Sequence, residues 1–257
     1  MKPLFTILMM LLLPATLCAA PDPSRIMDAF AKDFPPLSVD EIHETAISGV
    51  YEVVSEDQIF YYAPESHQLL TGSLMAMTDK ATWKNLTDER IQQIMEERIK
   101  NISLKEALVI GNGPHTVIEV TDPDCSYCRK GSNFFRGRTD VTRYIFFKPL
   151  KKMHPRAMAK AIWILSSKNP AEAYEAAFSG EYDDEQKPLP EHQDNGRFLR
   201  QMQAIAPLKV SSTPAYWVDG HYISGSNIKA ILWLLKTPLP GEEQSADSKT
   251  AADQPKQ

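Results

Sequence analysis

Cysteine is scarce in this sequence. Only three of the 257 residues are cysteines, and Cys18 lies in an N-terminal segment that we expect to be removed. The two that stay, Cys125 and Cys128, are separated by two residues, so a disulfide between them closes a loop too small to stabilise a fold much. A framework of structural disulfides is therefore excluded, and the pair is interpreted as reactive.

The sequence also lacks a surplus of basic residues and a long apolar run. The chain has 28 lysines and arginines against 33 aspartates and glutamates, a formal net charge of −5 at pH 7. Binding to the phosphate backbone of nucleic acids depends on basic patches. Beyond the N-terminal segment, no run approaches the ~20 apolar residues that span a bilayer. We expect no nucleic-acid partner and no transmembrane helix in the mature chain.

The first 20 residues have the pattern of a secretory signal peptide. Lys2 gives a positive start, residues 4–13 are apolar, and small residues dominate positions 15–20. Cleavage at the end of this segment would export the chain. Cys18 raises the alternative of a lipoprotein anchor, which the bulky Leu17 before it disfavours. An uncleaved, buried N-terminal helix is a further alternative, but the run has no polar face.

The region after the signal peptide predicts a helix followed by a small β meander. Residues 24–34 have apolar side chains at helical spacing, with Ser24 as the expected N-cap. Residues 50–54, 59–62 and 68–70 are β-rich runs separated by turn signals. A unit this small cannot bury much surface alone. It is expected to pack on the rest of the chain or to pair with a second copy.

An amphipathic helix is predicted over residues 87–100, with Thr87 as its expected cap. The opposite face of this helix is strongly charged. One apolar stripe is formed by Ile91, Ile94, Met95 and Ile99. The pattern suits a connector between two domains and suits an ordinary core helix equally well. Spacing alone leaves both interpretations open.

The second half of the chain alternates between predicted strands and helices. Strands are expected at 115–121, 141–147, 215–218 and 221–223, and helices at 156–166, 170–178, 197–206 and 227–236, the last opened by Ser226. Asp219-Gly220 is a strong two-residue hairpin signal. Residues 180–195 are polar and predict a loop, and residues 241–257 predict a disordered tail. This alternation indicates the α/β class.

The Cys125-Ser126-Tyr127-Cys128 motif follows a strand and begins a helix. A helix N-terminus favours a thiolate at Cys125, and Arg129 adds positive charge. The thiolate is the nucleophile of disulfide exchange, and Cys128, one turn on, is placed to resolve a mixed disulfide. Half of a zinc site is the alternative, but zinc needs two further ligands, and the histidines show no such spacing. We predict no metal and no cofactor.

Two further positions are candidates for the site. Glu119 lies among apolar strand residues and could accept a proton from Cys128; alternatively, it is a partly exposed strand residue paired with a lysine. Thr213-Pro214 precedes a β run, and its backbone edge could lie beside Cys125 and pair with a substrate; alternatively, Pro214 only starts the strand. Ser126 and Tyr127, between the cysteines, are expected to contact the substrate.

The meander and the 87–100 helix precede the CxxC motif in sequence. The motif itself is flanked by Thr121-Asp122-Pro123-Asp124 and Arg129-Lys130, and it is followed by Lys148-Pro149-Leu150, His154-Pro155, Ala161-Ile162-Trp163 and Ser212-Thr213-Pro214-Ala215. In this combination the sequence resembles the bacterial DsbC/DsbG protein disulfide isomerases. The resemblance covers roughly residues 24–238.

The resemblance implies a thioredoxin fold with a helical insertion, preceded by a small α+β dimerisation domain and a linker helix. The implied division is a signal peptide at 1–20, a dimerisation domain at 21–80, a linker helix at 81–105, a catalytic domain at 106–238 and a tail at 239–257. It also implies a V-shaped homodimer in which two catalytic domains face a cleft.

The resemblance further implies a periplasmic enzyme that repairs wrong disulfides. Its partners would be unfolded or misoxidised exported proteins and an inner-membrane thiol reductant of DsbD type. Cys125 and Cys128 would take the redox roles, and Thr213 with a cis Pro214 the substrate-binding role. The chain lacks the second, structural cysteine pair of many such isomerases. Glu119 occupies the buried-acid position of thioredoxin and of the DsbA oxidases. A dithiol oxidase, or a holdase chaperone or assembly factor with secondary redox activity, therefore stays open.

Overall fold

The computed structural model describes residues 22–78 and 81–236. The predicted signal peptide at 1–20, with the question of a lipid anchor at Cys18, lies outside these residues, and so does the predicted tail at 239–257. Within the described ranges, no helix has the length and apolar character needed to cross a membrane.

The N-terminal part folds as a helix on a four-stranded antiparallel sheet. Its elements are α1 (Pro23–Asp33), β1 (Glu41–Glu44), β2 (Tyr51–Ser55), β3 (Gln58–Ala63) and β4 (Gln68–Leu70), with the strands adjacent in this order. Phe30 and Tyr62 hold the helix to the sheet, with their rings edge to face at 5.3 Å. The three predicted strand runs are confirmed. Strand β1 was not predicted, because this exposed edge strand carries a single apolar residue.

A short hairpin, β5 (Met75–Met77) and β6 (Trp83–Asn85), leads into helix α2 (Leu86–Ile99). The helix is capped by Asn85, whose side chain accepts from the backbone N–H of Asp88 at 3.1 Å. The predicted cap at Thr87 is therefore wrong. Thr87 is buried inside the first turn, where its hydroxyl hydrogen bonds to the Tyr61 hydroxyl at 2.5 Å.

Helix α2 packs into a core that both halves of the chain share. Met95 is fully buried, and its carbonyl accepts a hydrogen bond from the Trp217 indole at 3.0 Å. Ile94 and Ile99 lie in the same apolar cluster, together with Ile59 of β3. Of the two interpretations of this helix, the core helix is observed, and the helix also joins the two halves in sequence.

The C-terminal half has the thioredoxin fold. Its strands are β7 (Leu108–Gly111), β8 (His115–Thr121), β9 (Val141–Phe147), β10 (Ala215–Val218) and β11 (His221–Ser224), in the spatial order β11-β10-β8-β9-β7. Strands β8 and β9 are parallel, and the other pairs are antiparallel. Every predicted strand here is confirmed to within one residue; the short edge strand β7 was not predicted.

Five helices accompany this sheet: α3 (Ser126–Phe135), α4 (Ala157–Ser166), α5 (Pro170–Phe178), α6 (Arg197–Ile205) and α7 (Ile228–Lys236). Helices α4, α5 and α6 form the predicted helical insertion between β9 and β10. One face of the sheet packs on α3, α4, α5 and α7, and the other packs on α2 and the N-terminal sheet. The loop predicted between α5 and α6 is observed.

Two other predicted helix starts need correction. Helix α1 is capped by Asp22, whose carboxylate accepts from the Ser24 backbone N–H at 3.0 Å, so Ser24 is not the cap. At the start of α7, the Asn227 side chain accepts from the Ala230 N–H at 3.2 Å, and Ser226 precedes the cap. In each case a side-chain oxygen nearby in sequence satisfies the free backbone donor.

Candidate active site at the CxxC motif

The loop between β8 and α3 places Cys125 at the start of a helix. Asp122 organises the loop: its carbonyl accepts from the Cys125 N–H at 3.2 Å, and its carboxylate accepts from the Asp124 N–H at 2.8 Å. The Cys125 carbonyl accepts the first helical hydrogen bond, from the Arg129 N–H at 3.0 Å. Cys125 is therefore the N-cap residue of α3, with its sulfur at the positive end of the helix.

The two cysteines are free thiols in different surroundings. Cys125 keeps 6 % of its surface exposed, whereas Cys128 has none. The Cys125 thiol also lies 3.6 Å from the Thr213 carbonyl oxygen, toward which it donates. Of the pair, only Cys125 has access to a substrate.

The pKa values of the two thiols move in opposite directions. The pKa of Cys125 falls from 9.0 to about 6, mainly because Cys128 donates a hydrogen bond to its sulfur. The backbone N–H groups of Cys128 and Tyr127 and the side chain of Thr213 lower it further, and burial opposes the change. Burial raises the pKa of Cys128 far above its ordinary value, and the neighbouring Cys125 raises it further. Cys125 is therefore the candidate nucleophile, and Cys128 is a protonated thiol.

The Thr213–Pro214 peptide bond is cis, as the resemblance implies. Thr213 lies against Cys125, and Pro214 leads directly into β10, whose Ala215 pairs with Val120 of β8. The chain therefore brings together, at one end of the sheet, two segments almost ninety residues apart in sequence.

Ser126 and Tyr127 lie on the surface of the first turn of α3. The Tyr127 side chain is 65 % exposed, and Ser126 is exposed as well. Met153, in the loop after β9, is also largely exposed and lines a shallow pocket with Asp124, the residue before Cys125. Exposed apolar side chains near a reactive thiol offer contact area to a polypeptide. Sequence reasoning did not single out Met153.

Glu119 lies fully buried below the motif, and its partner is an arginine. The Arg143 guanidinium donates to Glu119 Oε2 at 2.6 Å and to the Tyr174 hydroxyl at 2.6 Å. The rings of Phe135 and Tyr174 lie 4.9 and 5.1 Å from the guanidinium carbon. The alternative of a partly exposed, lysine-paired residue is therefore wrong. We call Glu119, Arg143 and Tyr174 the inner cluster.

Tyr216 links the inner cluster to the CxxC helix. It stands directly opposite Glu119 in the pairing of β10 with β8. Its hydroxyl touches the backbone of Gly131 in α3, where an added Cβ would lie 1.9 Å from the hydroxyl oxygen, so only glycine fits there. Burial raises the pKa of Tyr216, and the negative charge of Glu119 raises it further. Sequence reasoning missed Tyr216, because the sequence pattern of β10 indicates only that an aromatic residue is buried there.

A second group of charges holds the loop before Cys125 from the outside. Asp124 accepts from the Lys160 ammonium at 2.5 Å and from Arg129 at 3.3 Å. Asp183 binds the same two cations, at 2.8 Å from Lys160 and 2.5 Å from Arg129. We call these four residues the outer network. Lys160 is nearly fully buried; sequence reasoning missed it because a lysine in a helix is ordinarily a surface residue.

His154 contacts the same loop through Asp122. The buried Asp122 carboxylate lies 2.9 Å from His154 Nδ1 and accepts from the Leu150 N–H at 2.7 Å. This explains physically why Lys148-Pro149-Leu150 and His154-Pro155 accompany the motif: the loop after β9 supports the loop before Cys125. Among the described residues, no group of three or more His, Cys, Asp and Glu side chains is arranged to hold a metal ion.

The chain is similar in sequence to thiol:disulfide interchange proteins. Residues 18–88 match the domain family described as disulfide bond isomerase protein N-terminal domain. A probable thiol:disulfide interchange protein DsbC of Bordetella avium (strain 197N) is 26 % identical over 160 residues, which are 61 % of this chain and 56 % of that protein. The thiol:disulfide interchange protein DsbC of Dickeya dadantii (strain 3937) is 26 % identical over 149 residues, 55 % of this chain and 58 % of that protein.

One solved structure gives a partial match. The crystal structure of a disulfide interchange protein from Neisseria gonorrhoeae is 25 % identical, with a TM-score of 0.44, over 52 % of this chain and 96 % of that one. The matches to the curated relatives span little more than half of their length. The matched N-terminal domain and the two curated relatives confirm the resemblance to DsbC-type proteins.

Proposed function

We propose that this protein is a periplasmic thiol:disulfide oxidoreductase that isomerises or reduces incorrect disulfides in exported proteins. One observation carries the proposal: an accessible thiol of lowered pKa at a helix start lies next to a buried thiol of raised pKa. That pairing separates the attacking from the resolving cysteine.

The chemistry follows from the two sulfur atoms. The Cys125 thiolate attacks a substrate disulfide, so a mixed disulfide forms and one substrate sulfur leaves as a thiolate. In isomerisation, the released substrate thiolate attacks another substrate disulfide, and the thiolate that this expels attacks the mixed disulfide, so a new substrate disulfide forms and Cys125 leaves as a thiolate. In reduction, Cys128 loses its proton and attacks the Cys125 sulfur, which releases the reduced substrate and leaves a Cys125–Cys128 disulfide. A thiol reductant of DsbD type would return the pair to the dithiol.

Glu119 is proposed as the acceptor of the Cys128 proton. Its Oε2 is bound by Arg143, whereas its Oε1 has no hydrogen-bond partner among the described residues. In a Glu119→Gln variant the release of a preformed mixed disulfide by Cys128 should slow by about 10-fold or more, while the alkylation rate of Cys125 stays within about two-fold. Equal release rates in the two proteins would contradict this role.

Substrate binding is assigned to the surface around Cys125. Thr213, with cis Pro214, offers a backbone edge beside the sulfur, and Ser126 and Tyr127 lie exposed between the cysteines. An extended substrate can pair with such an edge through main-chain hydrogen bonds.

We assign dimerisation to the N-terminal part, residues 21–80, keeping 81–105 as the linker, whose helical part is α2, and 106–238 as the catalytic domain. The support is the match to the isomerase N-terminal domain and the exposed apolar side chains of β5, where Met75 and Met77 are 45 % and 62 % exposed. Unfolded exported proteins are the proposed substrates.

The test is equilibration of the purified protein against a glutathione redox series, with refolding of a substrate carrying scrambled disulfides. Recovery of the scrambled substrate that is lost in Cys125→Ser supports the proposal. Rapid oxidation of a reduced substrate without unscrambling would instead make the protein a dithiol oxidase, the candidate that the buried Glu119 favours. Full protection of unfolded substrates by Cys125→Ser would make it a holdase chaperone.

A further inference from the structure

The N-terminal sheet reaches the segment that precedes the cis proline. In the turn between β2 and β3, the Asp57 carboxylate accepts from the Ser211 backbone N–H at 3.1 Å and from the Ser211 hydroxyl. The neighbouring Gln58 amide donates to the same hydroxyl at 3.2 Å. Ser211 is thus held by three hydrogen bonds from a part of the chain more than 150 residues earlier.

The start of the same segment is held by a second carboxylate. Asp40 accepts from the Lys209 ammonium at 2.5 Å and from the Glu56 N–H at 2.9 Å. Arg98 of α2 donates to the carbonyls of Glu56 at 2.5 Å and Leu208 at 3.3 Å. The turn between β2 and β3 and the residues around it therefore hold the segment before the cis proline at two places, at Leu208 and Lys209 and again at Ser211. We call residues 208–213 the cis-proline loop.

The other end of this loop is the active site itself. Two residues after Ser211, Thr213 places its carbonyl 3.6 Å from the Cys125 sulfur. Asp57, Ser211, Thr213 and Cys125 thus form a short continuous path of contacts and covalent backbone. The shared apolar core below, which includes Ile59, prevents the turn from swinging away.

We propose that Asp57 is a positioning residue for the active site, by which the N-terminal sheet fixes the cis-proline loop against Cys125. The inference rests on the proposed function, because it deepens the substrate-binding role given there to Thr213. A loop with a single fixed geometry presents its backbone edge to a substrate at a smaller entropic cost than a mobile one. The same fixation keeps Thr213 against the sulfur, and its side chain is among the groups that lower the pKa of Cys125.

The test compares three variants of the full-length reduced protein. Asp57→Ala removes both acceptor oxygens, Asp57→Asn keeps a side chain that can bond the Ser211 N–H and hydroxyl, and Asp28→Ala changes an exposed aspartate of α1. In Asp57→Ala we expect KM for a disulfide-containing polypeptide to rise about five-fold with kcat nearly unchanged, and the Cys125 titration midpoint to rise by about 0.5. Asp57→Asn should recover most of both effects, and Asp28→Ala should show neither.

Amide hydrogen exchange supplies a readout that does not depend on thiol activity. Faster exchange at Ser211 in folded Asp57→Ala, with the strands of the C-terminal sheet unchanged, supports the inference. If Asp57→Ala folds poorly, Ser211→Ala removes only the hydroxyl bonds and should give the same changes at smaller size.

Two results separate this inference from the proposed function. An Asp57→Ala protein with unchanged exchange, KM and titration would overturn the positioning role even if the wild type is an active oxidoreductase. A Cys125 thiol that titrates only above about pH 8 in the wild type would reject the proposed function, and exchange at Ser211 would still decide whether Asp57 holds the loop.

Discussion

The inner cluster and the outer network both place charges next to the CxxC motif, but they are built differently. In the inner cluster, Glu119 has a single cationic partner, and both members of the pair are buried. In the outer network, each carboxylate is bound by two cations, and Asp183 keeps 46 % of its side chain exposed. Water can therefore replace a lost partner in the outer network but not in the inner cluster.

The difference shows where each group is able to act. A sealed pair responds strongly to the loss of one charge, because the other is left without compensation in a medium of low polarity. A shared and partly hydrated network spreads the same loss over several partners. We infer that the inner cluster controls protonation beneath the cysteines and that the outer network holds the loop before Cys125 in place.

The largest effect is expected from Arg143→Met. The substitution leaves the buried Glu119 without its cation, and the free energy of unfolding should fall by about 3–5 kcal/mol. Urea unfolding of the wild type and the variant measures the difference.

The control for this prediction removes both charges. An Arg143→Met, Glu119→Leu double variant has no buried charge left, so it should regain most of the lost stability, as apolar replacements of buried ion pairs often do. A double variant as unstable as Arg143→Met alone would show that packing around Arg143, including its contacts with Phe135 and Tyr174, accounts for the loss.

A smaller effect is expected from Lys160→Met. Met fills the space of the buried aliphatic stem, and Arg129 still binds both Asp124 and Asp183, so the free energy of unfolding should fall by only about 1–2 kcal/mol. Lys168→Met, which changes an exposed lysine after α4, is the matched control and should leave stability unchanged. A loss in Lys160→Met as large as in Arg143→Met would erase the contrast between the two groups.

The smallest effect is expected from Asp183→Asn. The hydrogen bond from Arg129, and after it that from Lys160, lowers the pKa of Asp183 from 3.8 to about 2. A lowered folded pKa stabilises the protein above the unfolded value and ceases to do so as the pH falls through the folded one. The variant should therefore be less stable by under ~0.5 kcal/mol near neutral pH, and the difference should vanish between about pH 4 and pH 2. A difference that grows on acidification would contradict this.

Most of the fold could be predicted from local patterns. Alternating and helical periodicities gave the long elements of the C-terminal half, because each buries one regular face. The edge strands β1 and β7 were missed, because four residues with little alternation carry no distinct signal. The caps at Asp22, Asn85 and Asn227 were misplaced by one or two residues, because several neighbouring side chains can accept from a free N–H.

Some residues of the candidate site could also be predicted from local sequence, and others could not. The cysteine pair and Glu119 stood out as unusual residues in local sequence. Arg143 was missed, although it is a lone cation between Val141 and Ile145 on the buried face of a strand, a signal that could have named it as the partner of Glu119. The bonds of Lys160 and Asp57 join distant segments, and no local pattern encodes such pairs.

The assignment of the active site is tested most directly by the ionisation of Cys125 in the reduced protein, followed by thiolate absorbance and by the pH dependence of alkylation. We predict a thiol that is half-ionised near pH 6 and whose signal disappears in Cys125→Ser, while Cys128 stays unreactive throughout. In Cys128→Ala the midpoint should rise, because the main hydrogen bond to the Cys125 sulfur is lost. A Cys125 whose pKa lies near the ordinary thiol value of 9.0 would contradict the assignment of this motif as the active site.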